Sequence, residues 1–343
     1  MLLELIFFII GLFALLLTAG ILYQQQGLRQ DRRKYPYPGR LVALGRHRLH
    51  IYELGSGAPA VVFESGLASS SLSWNPVQRL VAHGARTISY ERAGIGWSEE
   101  SAAPRTLANM IDDLQALLKN SGNPPPYILV GHSFGALLAR AYASIRSEEV
   151  AGLVLVDPVS LKFWADCTPQ DDRRLGLGAK LARRGVVLAN IGVVRLALAA
   201  LASGRTRLPK AVARASAGKA VGALGRMTGV VQKLPASLRP AVQSHWSQAK
   251  SFRALAEYLR ILRDCAGEAR VMPLPSRIPL TILSGADATR EELAERETWA
   301  HASIRGRHLQ VAESSHWIQL DQPEQVAAAV LELIGYSREL SSV

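Results

Sequence analysis

The chain has 343 residues, 48% of them hydrophobic, and carries 40 Lys and Arg against 28 Asp and Glu for a formal charge of +12. That apolar share excludes a disordered chain and suffices for a core buried on both faces of a sheet. Two cysteines, Cys167 and Cys265, exclude a disulfide framework and a cysteine-based metal cluster, leaving lone thiols or at most one bridge.

The first element is a run of uncharged, mostly Leu, Ile and Phe residues over 5–23. As a helix it spans about 28 Å, near the hydrocarbon thickness of a bilayer. A buried core helix and a cleaved leader are the alternatives. Against cleavage, Glu4 stands where a basic n-region belongs, the apolar run is long, and Thr18-Ala19-Gly20 makes a poor cleavage site. Residues 1–24 are therefore expected to form a transmembrane helix and residues 25–37 a basic linker. Arg29, Arg32, Arg33 and Lys34 on its C-terminal side place the rest of the chain in the cytoplasm by the positive-inside rule, as a single-pass protein.

Residues 41–54 read as a hairpin turning at Gly45-Arg46, and residues 60–63 as a strand running into Glu64-Ser65-Gly66-Leu67. Prolines 124–126 keep 121–126 a loop. Then comes Tyr127-Ile128-Leu129-Val130-Gly131-His132-Ser133-Phe134-Gly135, an apolar strand entering a Gly-x-Ser-x-Gly turn, with helix-compatible residues 136–145 directly after it. Strand, sharp turn and helix form the context in which such a turn lifts a serine hydroxyl clear of a sheet edge. Apolar runs at 153–156 and 280–283 predict two more strands buried on both faces. They end in Asp157 and in Gly285-Ala286-Asp287. A helix over 290–302, a strand over 307–311 and a helix led by Gln322-Pro323-Glu324 follow.

A serine at such a turn needs a base, an acid that orients it, and oxyanion donors, with nucleophile, acid and histidine in that chain order. Of eight histidines only His301, His308 and His316 lie well downstream of the cap-like middle region. His301 falls on the predicted helix and His308 within a strand. His316 sits in the loop leaving the 307–311 strand, where a catalytic base belongs. For the acid, Asp287 is favoured and Asp157 is the alternative; either could hold the imidazole tautomer that accepts the serine proton. Main-chain N–H groups make the best oxyanion donors because they need no reorganisation. Phe134, next after Ser133, is one, and Leu67, after the 60–63 strand, is the other.

These residues resemble the α/β-hydrolase superfamily, in the branch with an N-terminal membrane segment and one folded domain. The likeness covers about residues 38–160 and 275–336. It includes Pro38-Gly39-Arg40-Leu41, Glu64-Ser65-Gly66-Leu67 with Trp74, and Tyr90-Glu91-Arg92-Ala93-Gly94-Ile95-Gly96-Trp97-Ser98, which is similar to the family's D-R-x-G-x-G-x-S loop. Glu64-Ser65 stands where many relatives carry His-Gly, and Glu91 where Asp is usual. The resemblance implies a serine hydrolase acting on carboxylic esters without metal or cofactor. Ser133 at the elbow argues against the epoxide hydrolase and dehalogenase branches, whose nucleophile is an aspartate. The expected fold is a mostly parallel, doubly wound α/β sheet over 38–157 and 278–343, with a large helical cap inserted at 158–277.

That insertion holds 21 Lys and Arg against 6 Asp and Glu, and residues 173–256 contain no acid at all. A salt-bridge-laced helical surface would mix both signs. Anionic lipid suits this stretch better than nucleic acid, for which no module and only Trp246 as a tryptophan are present in 173–256. A small-molecule or lipid ester as substrate, admitted from the membrane, is the expectation. A proline-specific aminopeptidase-like enzyme and a non-catalytic, membrane-tethered binding protein are the alternatives.

Overall fold

The computed structural model describes residues 1–202 and 231–341. Its centre is an eight-stranded sheet in the order β1-β2-β4-β3-β5-β6-β7-β8. The strands are β1 (Arg40–Ala43), β2 (Arg48–Leu54), β3 (Ala60–Glu64), β4 (Thr87–Tyr90), β5 (Tyr127–His132), β6 (Val150–Val156), β7 (Leu280–Gly285) and β8 (Gly306–Val311). The expected hairpin is β1–β2, antiparallel with Arg40 opposite Ile51 and Ala43 opposite Arg48. Beyond β2, which meets β4 antiparallel, all pairings are parallel.

The central strands read as unbroken apolar runs because both faces are covered. Alternate side chains go to opposite faces. Val62, Leu129, Leu153, Leu155 and Ile282 enter one core, with α3 (Leu107–Asn120), α4 (Phe134–Ile145) and α9 (Ala249–Val271). Val61, Phe63, Ile128, Val130, Val154 and Val156 enter the other, with α2 (Asn75–Val81) and α12 (Pro323–Ser341). α3 shows how sequence sets such a layer: Thr106 caps it by accepting from Asn109 N–H, and Leu107, Met110, Ile111, Leu114, Leu117 and Leu118 form one buried stripe.

Between β6 and β7 the described chain is helical: α5 (Leu161–Ala165), α6 (Pro169–Asn190), α7 (Val193–Ala202), α8 (Arg239–Trp246) and α9. Long α9 packs against α5 and α6 and also touches α4. Part of the basic stretch, 203–230, lies outside the described residues. Cys167 and Cys265 are both buried and free, so no bridge joins them.

α1 (Leu2–Lys34) is long and apolar enough to cross a bilayer. It runs unbroken through residues 25–34, which the sequence reading separates as a linker. Two effects extend it. Gln, Leu and Arg are good helix formers. Moreover, the lower turns dock: Arg195 reaches Asp31 at 2.8 Å and Gln24 Oε1 at 2.9 Å, and Gln24 Nε2 donates to Ser247 O at 2.9 Å. The remaining helices, α10 (Arg290–His301) and α11 (Ile318–Asp321), flank β8.

Candidate active site

Ser133 stands between β5 and α4 with φ 55° and ψ −117°, a strained conformation for a residue with a side chain. The flanking glycines make the turn feasible. A Cβ on Gly131 would lie within 2.7 Å of Gly135 O and of the Ala136 backbone, and one on Gly135 would run into Glu64 O and Ser65 O. The turn is fastened to β6, since Ser133 N–H donates to Val156 O at 3.0 Å. Ser133 Oγ makes no hydrogen bond among the described residues. Pairs of this kind often tighten only around substrate.

His316 follows β8 in the loop before α11, as expected. Its Nδ1 lies 2.7 Å from Asp157 Oδ2. The structure therefore corrects the favoured acid. Asp287 is exposed past the turn that ends β7, and no hydrogen bond or ion pair among the described residues joins it to His316, whose carboxylate partner is Asp157. Asp157, at the end of β6, is the carboxylate brought to the imidazole. The turn leading to Asp287 instead serves Asp157: Gly285 N–H donates to Asp157 Oδ1 at 3.1 Å.

Asp157 is also held by Arg296 on α10, whose Nη1 donates to Asp157 Oδ1 at 2.9 Å and to Ser284 Oγ at 2.8 Å, while Nη2 donates to Pro158 O at 2.7 Å. Burial would raise the carboxyl. The His316 hydrogen bond, the Arg296 charge and the Gly285 N–H outweigh it and hold Asp157 at about 2. The carboxylate is thus ionised and fixed, as an orienting acid must be. Arg296 escaped the sequence reading, because an arginine in the charged run Arg-Glu-Glu-Leu-Ala-Glu-Arg-Glu gives no sign of being only 2% exposed.

His132 has a structural part that its place in the motif does not announce. Burial pushes it down to about 3, so it is neutral. Its Nε2 is 2.7 Å from His316 O, to which it donates, and its ring lies 4.7 Å from that of His316, tilted by 50°. It pins the main chain of the residue whose side chain faces Asp157.

The loop after β3 brings Leu67 beside the elbow. Gly66 is close enough that a Cβ there would stand 3.6 Å from Ser133 Cβ. Leu67 N–H has no hydrogen-bond acceptor among the described residues, and Phe134 N–H, opening α4, has no carbonyl to reach within its helix. Beneath the loop is a buried cluster. Arg92 pairs with Glu64 and donates to Ser65 O and Gly66 O, and its Nε donates to Tyr258 OH at 2.6 Å. Tyr90 OH also donates to Glu64. The unusual Glu64 is thereby explained: it supplies the counter-charge for an arginine that grips the two carbonyls preceding Leu67 N–H.

Leu67, Leu234, Val242, Trp246 and Trp317 line a cavity of about 30 Å³ next to this loop. That is room for roughly one water. Among the described residues no cluster of His, Cys, Asp and Glu is arranged to hold a metal ion.

Residues 61–329 match the sequence pattern of the Alpha/beta hydrolase family. Among curated proteins, YqjL of Bacillus subtilis is 38% identical over 104 residues, 30% of this chain and 41% of that protein. Lipase LipV of Mycobacterium tuberculosis is 47% identical over 57 residues, 17% of this chain and 22% of the lipase. The chain spans less than half the length of these relatives. Among solved structures, an esterase of Thermogutta terrifontis superposes with TM-score 0.60 at 18% identity, covering 88% of this chain and 99% of the esterase. A putative epoxide hydrolase of Pseudomonas aeruginosa superposes with TM-score 0.66 at 17% identity, covering 89% and 97%. At such identities the likeness speaks for the fold.

Proposed function

The chain belongs to the alpha/beta hydrolase family, and on that premise we propose that it is a serine hydrolase cleaving apolar or lipid-derived carboxylic esters at a membrane. The observation that carries this reading is the 2.7 Å contact between His316 Nδ1 and Asp157 Oδ2, beside a serine held at φ 55°.

The chemistry is two-step acyl transfer. Asp157 keeps the proton of His316 on Nδ1, so Nε2 is the basic nitrogen. His316 takes the Ser133 proton as Oγ attacks the ester carbonyl. The Leu67 and Phe134 N–H groups receive the developing oxyanion, with Arg92 holding the carbonyls that set the Leu67 loop. His316 then protonates the leaving alkoxide, and the same steps with water release the acid.

The family resemblance and the mostly apolar lining of Leu67, Leu234, Val242, Trp246 and Trp317, interrupted by Ser69, Ser70 and Ser73, support an apolar acyl group. The cavity is too small for one as it stands, so substrate entry requires the cap, residues 158–277, to shift at Leu234, Val242 and Trp246. α1 is the membrane anchor in this reading, with the hydrolase body on the cytoplasmic side.

Labelling with a fluorescent fluorophosphonate tests the reading, since the probe reacts with a serine activated by a base and an oxyanion hole. Wild type labels, and Ser133→Ala and His316→Ala do not. A folded wild type that stays unlabelled in detergent and in vesicles alike refutes the serine mechanism.

A further inference from the structure

A second cavity, of about 770 Å³, lies between the lower turns of α1, the loop after β4, and helices α8 and α9. It shares no lining residue with the small cavity beside Leu67. Its charged groups separate into engaged and unengaged ones. Asp31 is paired with Arg195, Glu99 with Arg48 at 2.5 Å, and Glu100 with Arg253 at 2.7 Å. Arg32 and Lys250 have no acidic partner among the described residues. Lys250 Nζ donates to Ser98 O at 2.8 Å and is half-buried. Burial pulls its ammonium down to about 8 although the charges of Glu91, Glu100 and Glu99 act against the fall; none of the three makes an ion pair with it, and Glu91 is turned to the hydroxyls of Ser70 and Ser71.

A further wall of the cavity carries an unanswered polar group. His245 is 5% exposed, neither ring nitrogen has a hydrogen-bond partner, and its ring stands edge-on to Trp97 at 4.5 Å. A neutral imidazole always carries one N–H, and leaving a buried donor unmet costs about 1–3 kcal/mol.

The position along α1 selects the ligand. The apolar run ends at Tyr23, and the cavity is lined by Gln24, Leu28 and Arg32 from the turns directly below. At ~1.5 Å per residue these turns begin at the hydrocarbon boundary and pass through a headgroup layer of about 5–8 Å. A flexible arginine just beyond reaches back to that layer.

We propose that this cavity binds the phosphate headgroup of an anionic membrane lipid, with Lys250 and Arg32 on the phosphate and a turn of the His245 ring bringing its N–H to the headgroup. It rests on α1 lying in a bilayer and is independent of the Ser133 chemistry. A zwitterionic choline headgroup brings a fixed cation toward Arg32 and Lys250 and is disfavoured. A free phosphate ester lacks the acyl chains that would lie along α1.

The test is native mass spectrometry of the full-length protein in detergent, titrated with phosphatidylglycerol, phosphatidylcholine or glycerol phosphate. One phosphatidylglycerol is retained in preference to the other two. Lys250→Gln and Arg32→Gln, the latter at an exposed position, each weaken it by about tenfold, the scale of one charge-assisted contact. Ser133→Ala leaves it unchanged while abolishing fluorophosphonate labelling, which separates this site from the hydrolase reading. Equal retention of phosphatidylcholine overturns the proposal, as does undiminished binding by both charge variants. Tight binding of glycerol phosphate alone makes the site one for a soluble anion and likewise overturns it. Release of the protein from membranes by alkaline carbonate removes its premise.

Discussion

Asp157→Asn separates the two carboxylates that end adjacent strands. Two donors, Gly285 N–H and Arg296 Nη1, meet Asp157 Oδ1, and His316 Nδ1 meets Oδ2. An asparagine must turn its carbonyl oxygen to the two donors, so its NH₂ faces His316. That makes His316 Nδ1 an acceptor and moves the imidazole proton to Nε2, where it cannot accept from Ser133. The geometry survives and the tautomer is wrong. In Ser-His-Asp enzymes this change costs ~10⁴ in kcat, about 5 kcal/mol of transition-state stabilisation. Stability falls less. The Asp157 pKa drops from 3.8 to about 2, which corresponds to about 2 kcal/mol for this buried group. Because the folded value is the depressed one, that stability is present above pH 3.8 and lost as pH falls through about 2. The variant should therefore fold at neutral pH and hydrolyse p-nitrophenyl butyrate ~10⁴-fold more slowly, with KM little changed. Asp287→Asn should match wild type. Loss of activity in Asp287→Asn with retention in a folded Asp157→Asn would refute the assignment.

Arg92→Lys loses the forked grip on Ser65 O and Gly66 O; kcat should fall by ~10², with KM held, if the loop sets an oxyanion donor. An equal fall in the melting temperature and no fall in kcat at low temperature would make Arg92 merely structural. Glu91 is buried with Oε2 unpartnered, and burial raises its pKa from 4.5 to about 7. Its folded value is the raised one, so the stability of its protonated form is complete below pH 4.5 and lost as pH rises through about 7. The loss amounts to about 3 kcal/mol. Glu91→Gln should melt higher than wild type above pH 8 and alike near pH 4; identical melting at both would contradict it. Trp246→Ala enlarges the cavity beside Leu67 and should raise kcat/KM for octanoate relative to acetate esters by about tenfold, the scale of one or two extra buried methylenes. No change in chain-length preference would place the acyl group elsewhere.

The elbow was legible because its signal is local. Gly131 and Gly135, on either side of Ser133, stand where the backbone itself leaves no room for Cβ atoms, and the strand before and helix after them are written in adjacent residues. His316 was legible from its place in a loop following a strand. The carboxylate that meets His316 was not, for a geometric reason. β6 and β7 are neighbours in the sheet, about 4.8 Å apart, and each is followed within two residues by an aspartate. Which carboxylate meets the imidazole depends on the course of two loops and on Arg296, which arrives from a helix more than a hundred residues further on. Pairings of this range leave no periodicity to read. Glu64 makes the same point in the other direction. In sequence it is a departure from the family pattern. In space it belongs with Arg92, Tyr90 and Tyr258, residues from the next strand, the loop after it, and the insertion. A buried charge that looks anomalous one residue at a time is explained once its partner is found, and removing either member alone would leave the other stranded, at a cost of about 3–5 kcal/mol. The Leu67 loop and the insertion are therefore coupled through one arginine, because the Tyr258 hydroxyl on α9 helps hold Arg92 against the carbonyls of Ser65 and Gly66.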